Sequence, residues 1–197
     1  MVELLRRRAM LANNTASIPE WDYVWNSSKG LLSSNGWTES KVGSGSSSVS
    51  IVSDYLKFQS TSSNYYNFQY PNTYTKGVVE AELYCTNNAM MRLNVCGNDV
   101  YSFGVRLQTS SNYKGLYLGT STSGTKIMTA SYNTKYKIRL VLNENIGQVY
   151  VDDVLLLDNI DTTAVPNCSN AFISGRGTGG TSRESRLYSL KMKFGRV

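Results

Sequence analysis

The chain has 197 residues, with 20 Lys and Arg against 14 Asp and Glu for a net charge of +6, three cysteines and no histidine. That length holds one domain and a tail, with room for a sizeable core. The missing histidine removes the commonest acid–base group and the commonest metal ligand, and no stretch approaches the roughly 18–20 apolar residues of a membrane-spanning helix.

Val2–Ala12 is the one helix-capable segment: Leu4, Leu5, Arg6, Arg7, Arg8, Ala9, Met10 and Leu11 are strong helix formers. A helix this short is marginal alone in water, so the segment is expected to order against a partner. Ala9–Ala12 is too short for the apolar core of a signal peptide. Asn13–Pro19 reads as a linker, which divides the chain into residues 1–19, an anchor segment and linker, and residues 20–197, the domain.

From there the pattern is strands every 8–12 residues, with Gly, Asn and Ser between them. A flexible Ser44–Ser50 tract leads into Val49–Val52, then Tyr55–Ser60 and Tyr65–Tyr70. Gly77–Cys85 places Val79, Ala81, Leu83 and Cys85 on one face and Glu80, Glu82 and Tyr84 on the other. Met90–Cys96 follows, then Tyr101–Gln108, with Phe103, Val105 and Leu107 inward and Arg106 and Gln108 toward water. Tyr113–Gly119 and Thr125–Thr129 come next. In the following strand Tyr136, Ile138, Leu140 and Leu142 oppose Lys135, Lys137 and Arg139. Asn143–Gly147 supplies a turn, and Asp152-Asp153 makes a second before the apolar run Val154–Leu157. Ala171–Gly175 leads to a glycine-rich loop at Gly175–Gly180. Arg186–Phe194 closes the set, with Tyr188, Leu190, Met192 and Phe194 inward. The expectation is an all-β, two-sheet antiparallel β-sandwich. Cys85, Cys96 and Cys168 form no metal-ligand pattern and are expected to be reduced core residues, with a disulfide between two of them as the alternative.

The order of basic-faced strand, turn, Val149-Tyr150-Val151-Asp152-Asp153 and strand resembles the late hairpins of concanavalin A-like and laminin-G-like domains, which implies a lectin-like jelly roll. The opening Met1–Leu11 resembles the leaders of tail, fibre and capsid-decoration proteins from phages and prophages of gut bacteria. Trp21-Asp22-Tyr23-Val24-Trp25 and Asn35-Gly36-Trp37-Thr38 resemble the start of the lectin-like domains in that group. These resemblances imply a non-enzymatic virion protein. Leu4, Leu5, Arg6, Arg7, Arg8 and Met10 would dock it to other virion proteins, with monomer and homo-oligomer (trimer) both open, and the sandwich would face outward for adhesion. The rival is a bacterial carbohydrate-binding module, extracellular or at the cell surface, and a more distant one is a diverged glycoside hydrolase.

Residues support these readings unequally. Sugar binding needs an aromatic platform flanked by hydrogen-bonding groups. Trp37, Tyr65, Tyr66, Tyr113 and Tyr117 are the candidate platforms, and Arg106 and Asn112 the polar partners, with Asn64 and Asn67 nearby. A glycosidase needs two carboxylates flanking the scissile bond, and the nearest pair, Glu80 and Glu82, sits on a polar strand face without the family's motif, so no catalytic residue is expected. Asp152, Asp153, Asp158 and Asp161, with Asn159, match no calcium-ligand spacing, and turn roles account for them, so no cofactor is expected, with calcium as the alternative. Gly175–Gly180 lacks the Lys-Ser/Thr of a phosphate loop. The body of the chain is electrically neutral. Basic residues concentrate at 1–12 and 183–197, and in the latter they alternate with core positions, so neither nucleic acid nor membrane is expected as a partner.

Overall fold

A computed structural model describes residues 20–43, 45–60, 64–71, 75–97, 102–110, 112–119, 124–163, 170–177 and 183–195. The leader residues Leu4, Leu5, Arg6, Arg7, Arg8 and Met10 lie outside the described residues. Among the described residues fifteen strands follow one another: β1 (Tyr23–Asn26), β2 (Thr38–Val42), β3 (Ser47–Val52), β4 (Tyr55–Ser60), β5 (Tyr65–Pro71), β6 (Lys76–Cys85), β7 (Ala89–Gly97), β8 (Ser102–Ser110), β9 (Tyr113–Leu118), β10 (Thr125–Met128), β11 (Thr134–Asn143), β12 (Ile146–Val151), β13 (Val154–Asp161), β14 (Asn170–Gly177) and β15 (Glu184–Phe194). Single 3-10 turns span Ser27–Lys29 and Leu32–Asn35.

Every recorded pairing is antiparallel. The first sheet has the order β13-β12-β11-β6-β15-β4-β3, with β1 also pairing with β15. The second has the order β10-β9-β8-β7-β14-β5-β2. Period-2 alternation decides what lies between them. From the first sheet come Leu56, Phe58, Val79, Ala81, Leu83, Ile138, Leu140, Leu190 and Met192. The second supplies Phe68, Met91, Leu93, Val105, Leu107, Leu116 and Ile173, and all of these are buried. Each large apolar side chain so buried contributes roughly 1.5–3 kcal/mol. β14 must approach the opposite sheet closely, and glycine permits it: a Cβ on Gly175 would lie 2.5 Å from Phe58 Cγ and 2.7 Å from Ser185 Oγ.

The hairpins have local causes. Asp152 and Asp153 both adopt positive φ, 49° and 66°, as a two-residue hairpin with the twist of its strands requires. The Asp152 carboxylate accepts the Lys137 backbone N–H at 2.9 Å, and Asp153 pairs with the Lys137 ammonium.

Several expectations change. β1 and β2 have no counterpart in the sequence reading, because β2 is exposed along its whole length and has no buried alternation to read. A bulge between Leu187 and Ser189 shifts the phase of β15, so Leu187 faces the core and Tyr188 turns outward against Tyr55 and Tyr84. Gly147 belongs to β12 rather than to the turn, and Gly175-Arg176-Gly177 continue β14 rather than opening a loop. The apolar run of β13 occupies a sheet edge, which leaves Val154 and Leu156 exposed. Cys85 is a free, buried thiol whose proton affinity is pushed up by burial, whereas Cys96 is disulfide-bonded. Arg106, expected in water, is 1% exposed.

Candidate functional site

The outer face of the second sheet explains the burial of Arg106. Cross-strand register sets one line of side chains over it: Ser40, Asn67, Ser174, Arg92, Arg106, Tyr117 and Lys126, each opposite the next. Strands lie about 4.8 Å apart, so the line crosses the whole sheet. On one side of it stand Arg176, Met90 and Gln108, with Tyr65 opposite Lys41's neighbour Val42 at the same level. On the other stand Gln69, Phe172, Asn94 and Gly104. None of these outward residues belongs to the inter-sheet core, yet Met90, Arg92, Asn94, Phe172 and Ser174 are all buried. The face is therefore a floor of covered groups. Its rim is the half-buried Tyr65 and Arg176, together with Asn112 and Tyr113, which are exposed.

Aromatic rings and guanidinium groups interleave here. The Arg92 and Arg176 guanidinium carbons lie 4.4 and 4.6 Å from the centre of the Tyr65 ring, and that of Arg106 lies 4.7 Å from the Tyr117 ring. Such contacts contribute about 0.5–2 kcal/mol according to their desolvation. Burial lowers the proton affinity of Arg106, and repulsion from Arg92 adds to it, while Tyr117, Tyr65 and Tyr113 act the other way. Burial likewise dominates at Arg176, opposed by Tyr65 and reinforced by Arg92. Like charges directly opposite one another on a sheet, as Arg92 and Arg106 are, disfavour the fold. The seven strands carry a single carboxylate, Glu39, and it shares the phase of the core residue Phe68 and accepts the Tyr66 hydroxyl at 3.1 Å.

Neutral polar groups complete the floor. A Cβ on Gly104 would lie 2.0 Å from Asn94 Oδ1, so the Asn94 amide rests across the Gly104 backbone. Asn94 is fully buried, and neither its Oδ1 nor its Nδ2 has a hydrogen-bond partner among the described residues. The same holds for Asn67 Oδ1 and Ser174 Oγ. A buried polar group left unpaired costs about 1–3 kcal/mol, a cost that a polar ligand on this face would offset.

The sequence candidates separate cleanly. Tyr65, Arg106, Tyr113 and Tyr117 are brought together on this face, and Asn112 adjoins Tyr113 at its edge. Trp37 and Tyr66 are not part of it. Trp37 packs between Tyr23 and Tyr70 with 4% exposure, and Tyr66 packs against Phe68. Their rings are core material because the 3-10 turn and the phase of β5 point them inward. Arg92, Arg176, Asn94 and Ser174 were not anticipated, since the first lay within an apolar strand and the second within a glycine-rich tract.

The carboxylates weighed for other chemistry lie elsewhere. Glu80 and Glu82 are on the outer face of the first sheet, where they pair with Lys191 at 3.2 Å and Lys135 at 3.9 Å. Asp158 accepts from the Gln148 amide at 2.8 Å, and Asp161 from the Thr163 N–H at 2.9 Å and hydroxyl at 2.7 Å. Among the described residues no group of three His, Cys, Asp or Glu could hold a metal ion. The acidic residues of β13 and of the turn before it thus bond to separate local partners. No helix among the described residues is long and apolar enough to cross a membrane.

No family model and no curated protein matches the sequence. Solved structures do match the fold. A sialidase superposes with a TM-score of 0.62 at 13% identity over 81% of this chain, which is 17% of the sialidase's own length. The exoplasmic/lumenal domain of VIP36, solved with Ca2+ and Man2, gives 0.56 at 13% identity over 86% of each chain. The carbohydrate-binding module CBM66 of Bacillus subtilis gives 0.54 at 11% identity over 80% of this chain and 95% of the module. The chain therefore has a lectin-like β-sandwich fold, as the concanavalin A-like resemblance implied.

Proposed function

We infer that this chain is a non-enzymatic, lectin-like domain that binds glycan on the outer face of its second sheet. The observation that carries the reading is the convergence there of Tyr65, Arg106, Tyr113 and Tyr117 with buried, unpaired amide and hydroxyl groups of Asn67, Asn94 and Ser174. Saccharides need both elements: a ring face for their C–H surfaces and fixed donors and acceptors for their hydroxyls. Tyr113, 47% exposed, is the ring that a sugar reaches first. VIP36, solved with Ca2+ and Man2, and the carbohydrate-binding module CBM66 are in keeping with a glycan ligand. The pairing of Glu80 and Glu82 with lysines on the opposite side of the sandwich supports a binding role over a hydrolytic one.

A glycan array probed with wild-type protein and with Tyr113→Ala tests this. Binding by the wild type, weakened about tenfold in the variant as expected for losing a desolvated ring contact, supports it. Absence of binding to any glycan, or hydrolysis that disappears in Glu80→Gln, overturns it.

The setting is a second question. The bonded Cys96 suits an oxidising, extracellular or cell-surface location. A virion location rests on the resemblance of the leader. Deleting residues 1–14 and finding normal incorporation into particles would remove it.

A further inference from the structure

On the outer face of the second sheet, Asn94 of β7 lies opposite Phe172 of β14 on one side and Gly104 of β8 on the other. Its side chain is shut from water, and neither Oδ1 nor Nδ2 has a hydrogen-bond partner among the described residues. Two backbone features hold it there. A bulge follows it in β7, so that Val95 and Cys96 both belong to the core, and bulges re-aim the side chains beside them. Gly104 has no side chain, and a Cβ there would lie 2.0 Å from Asn94 Oδ1 and 2.6 Å from the Leu93 carbonyl oxygen. Phe172 is 1% exposed yet lies outside the inter-sheet core. Two residues along β14 stands Ser174, whose buried hydroxyl also has no partner among the described residues. An amide, a hydroxyl and an apolar ring thus form a triangle on one floor.

We propose that the glycan bound on the second sheet is N-acetylated and that Asn94, Ser174 and Phe172 take its acetamido group. The proposal rests on the glycan-binding reading and names its ligand class. In it the acetamido N–H donates to Asn94 Oδ1, the Ser174 hydroxyl donates to the acetamido carbonyl, and the methyl group packs on the Phe172 ring. A trans amide presents its N–H and C=O in opposite directions, so it bridges two groups rather than pairing with one. Asn94 and Ser174 are diagonal neighbours across β7 and β14, which sets their Cβ atoms about 7–8 Å apart. That spacing leaves room for an amide with a hydrogen bond on each side. A single hydroxyl spans only about twice a 2.8 Å bond and brings no apolar surface to Phe172. No partner fixes which end of the Asn94 amide is oxygen, so it presents the orientation that the ligand requires. Asn94 Nδ2 then donates to the hydroxyl on the neighbouring ring carbon. Asn67 Oδ1, opposite Ser174 and also without a partner among the described residues, accepts from a further hydroxyl of the same sugar.

The test uses oligosaccharides of N-acetylglucosamine, N-acetylgalactosamine and N-acetylmannosamine. Each is titrated beside its counterpart with a hydroxyl in place of the acetamido group. At least one N-acetylated sugar is expected to bind about tenfold or more tighter than its counterpart, as two hydrogen bonds and a buried methyl group imply. Saturation-transfer NMR on the wild-type complex is expected to give the strongest signal at the acetyl methyl group. Asn94→Ala is expected to remove the preference while binding of the counterpart and the melting temperature are unchanged, because the amide makes no hydrogen bond on folding. A purely structural role for Asn94 would lower the melting temperature and weaken both sugars alike, which overturns the assignment. A preference that survives in Asn94→Ala, or strongest saturation away from the methyl group, overturns it too. Equal binding within every pair overturns the acetamido group and leaves the glycan-binding reading intact. No binding to any probe overturns both.

Discussion

On the outer face of the first sheet four lysines have carboxylate partners. Lys191 meets Glu80, Lys135 meets Glu82, Lys137 meets Asp153, and Lys193 meets Asp22. On the outer face of the second sheet Arg92 lies opposite Arg106, and their guanidinium groups lie over the rings of Tyr65 and Tyr117. Both faces arise from the same period-2 alternation over one shared core. The first carries lysine–carboxylate pairs, and the second carries facing arginines together with the buried Asn67 Oδ1, Asn94 amide and Ser174 Oγ, which have no hydrogen-bond partner among the described residues. Locally unfavourable arrangements of that kind persist at sites selected for binding rather than for stability. The contrast between the two faces is what favours the second as the candidate binding surface.

The shared core sets the scale for testing that contrast. Leu140, buried between the sheets, is expected to cost roughly 2–5 kcal/mol when replaced by Ala, because a cavity adds to the lost transfer energy. Denaturant melts check this. A loss under about 0.5 kcal/mol would mean that β11 does not face a packed core.

Next in size comes Glu80→Gln, which removes the partner of Lys191 and is expected to lower stability by up to about 1 kcal/mol. The same melts read it, and an unchanged midpoint would mean that the pair adds nothing to the first sheet.

The smallest effects belong to the water-facing side of the first sheet. Arg139→Ala, which removes a half-buried side chain lying over Tyr150, should change stability by about 0.5 kcal/mol or less. The Lys137–Asp153 pair gives a pH signature. Its hydrogen bond holds the Asp153 carboxyl below its ordinary 3.8. That contribution is present above the ordinary value and is lost as pH falls through the lowered one. The same bond holds Lys137 above its ordinary 10.5, so its contribution is complete below that value and is lost as pH rises through the raised one. Both limbs are small, about 0.5 kcal/mol or less, since the pair is largely solvated. Lys137→Met should erase both limbs in melts taken across the pH range.

The comparison also shows what the sequence could and could not supply. Alternation was enough for β6, β8 and β11, where Val79, Val105 and Leu140 are buried as their phase requires. It failed where a single residue resets the phase, as the bulge after Leu187 does for Tyr188. It also failed where a strand has no buried side, as in β2. Within the site, Tyr65, Arg106, Tyr113 and Tyr117 were legible as residue types suited to sugars, but their assembly depends on pairings between β7, β8, β9, β14 and β5 that no local pattern contains. Arg92 and Arg176 were hidden for the same reason: one is the polar residue of an apolar strand, and the other sits between two glycines that the fold uses for close approach. Trp37 shows the converse, an aromatic with the right composition for a platform whose ring the core has taken.

The central claim is that the second sheet, and not the first, carries the binding surface. Measuring the affinity of one array-selected glycan for wild type, for Tyr113→Ala and Arg176→Gln on the second sheet, and for Glu80→Gln and Arg139→Ala on the first tests it most directly. The account predicts affinity losses of about tenfold for the first two variants and unchanged affinity for the others. Loss confined to the Glu80 and Arg139 variants, or equal affinity in all five proteins, would contradict it.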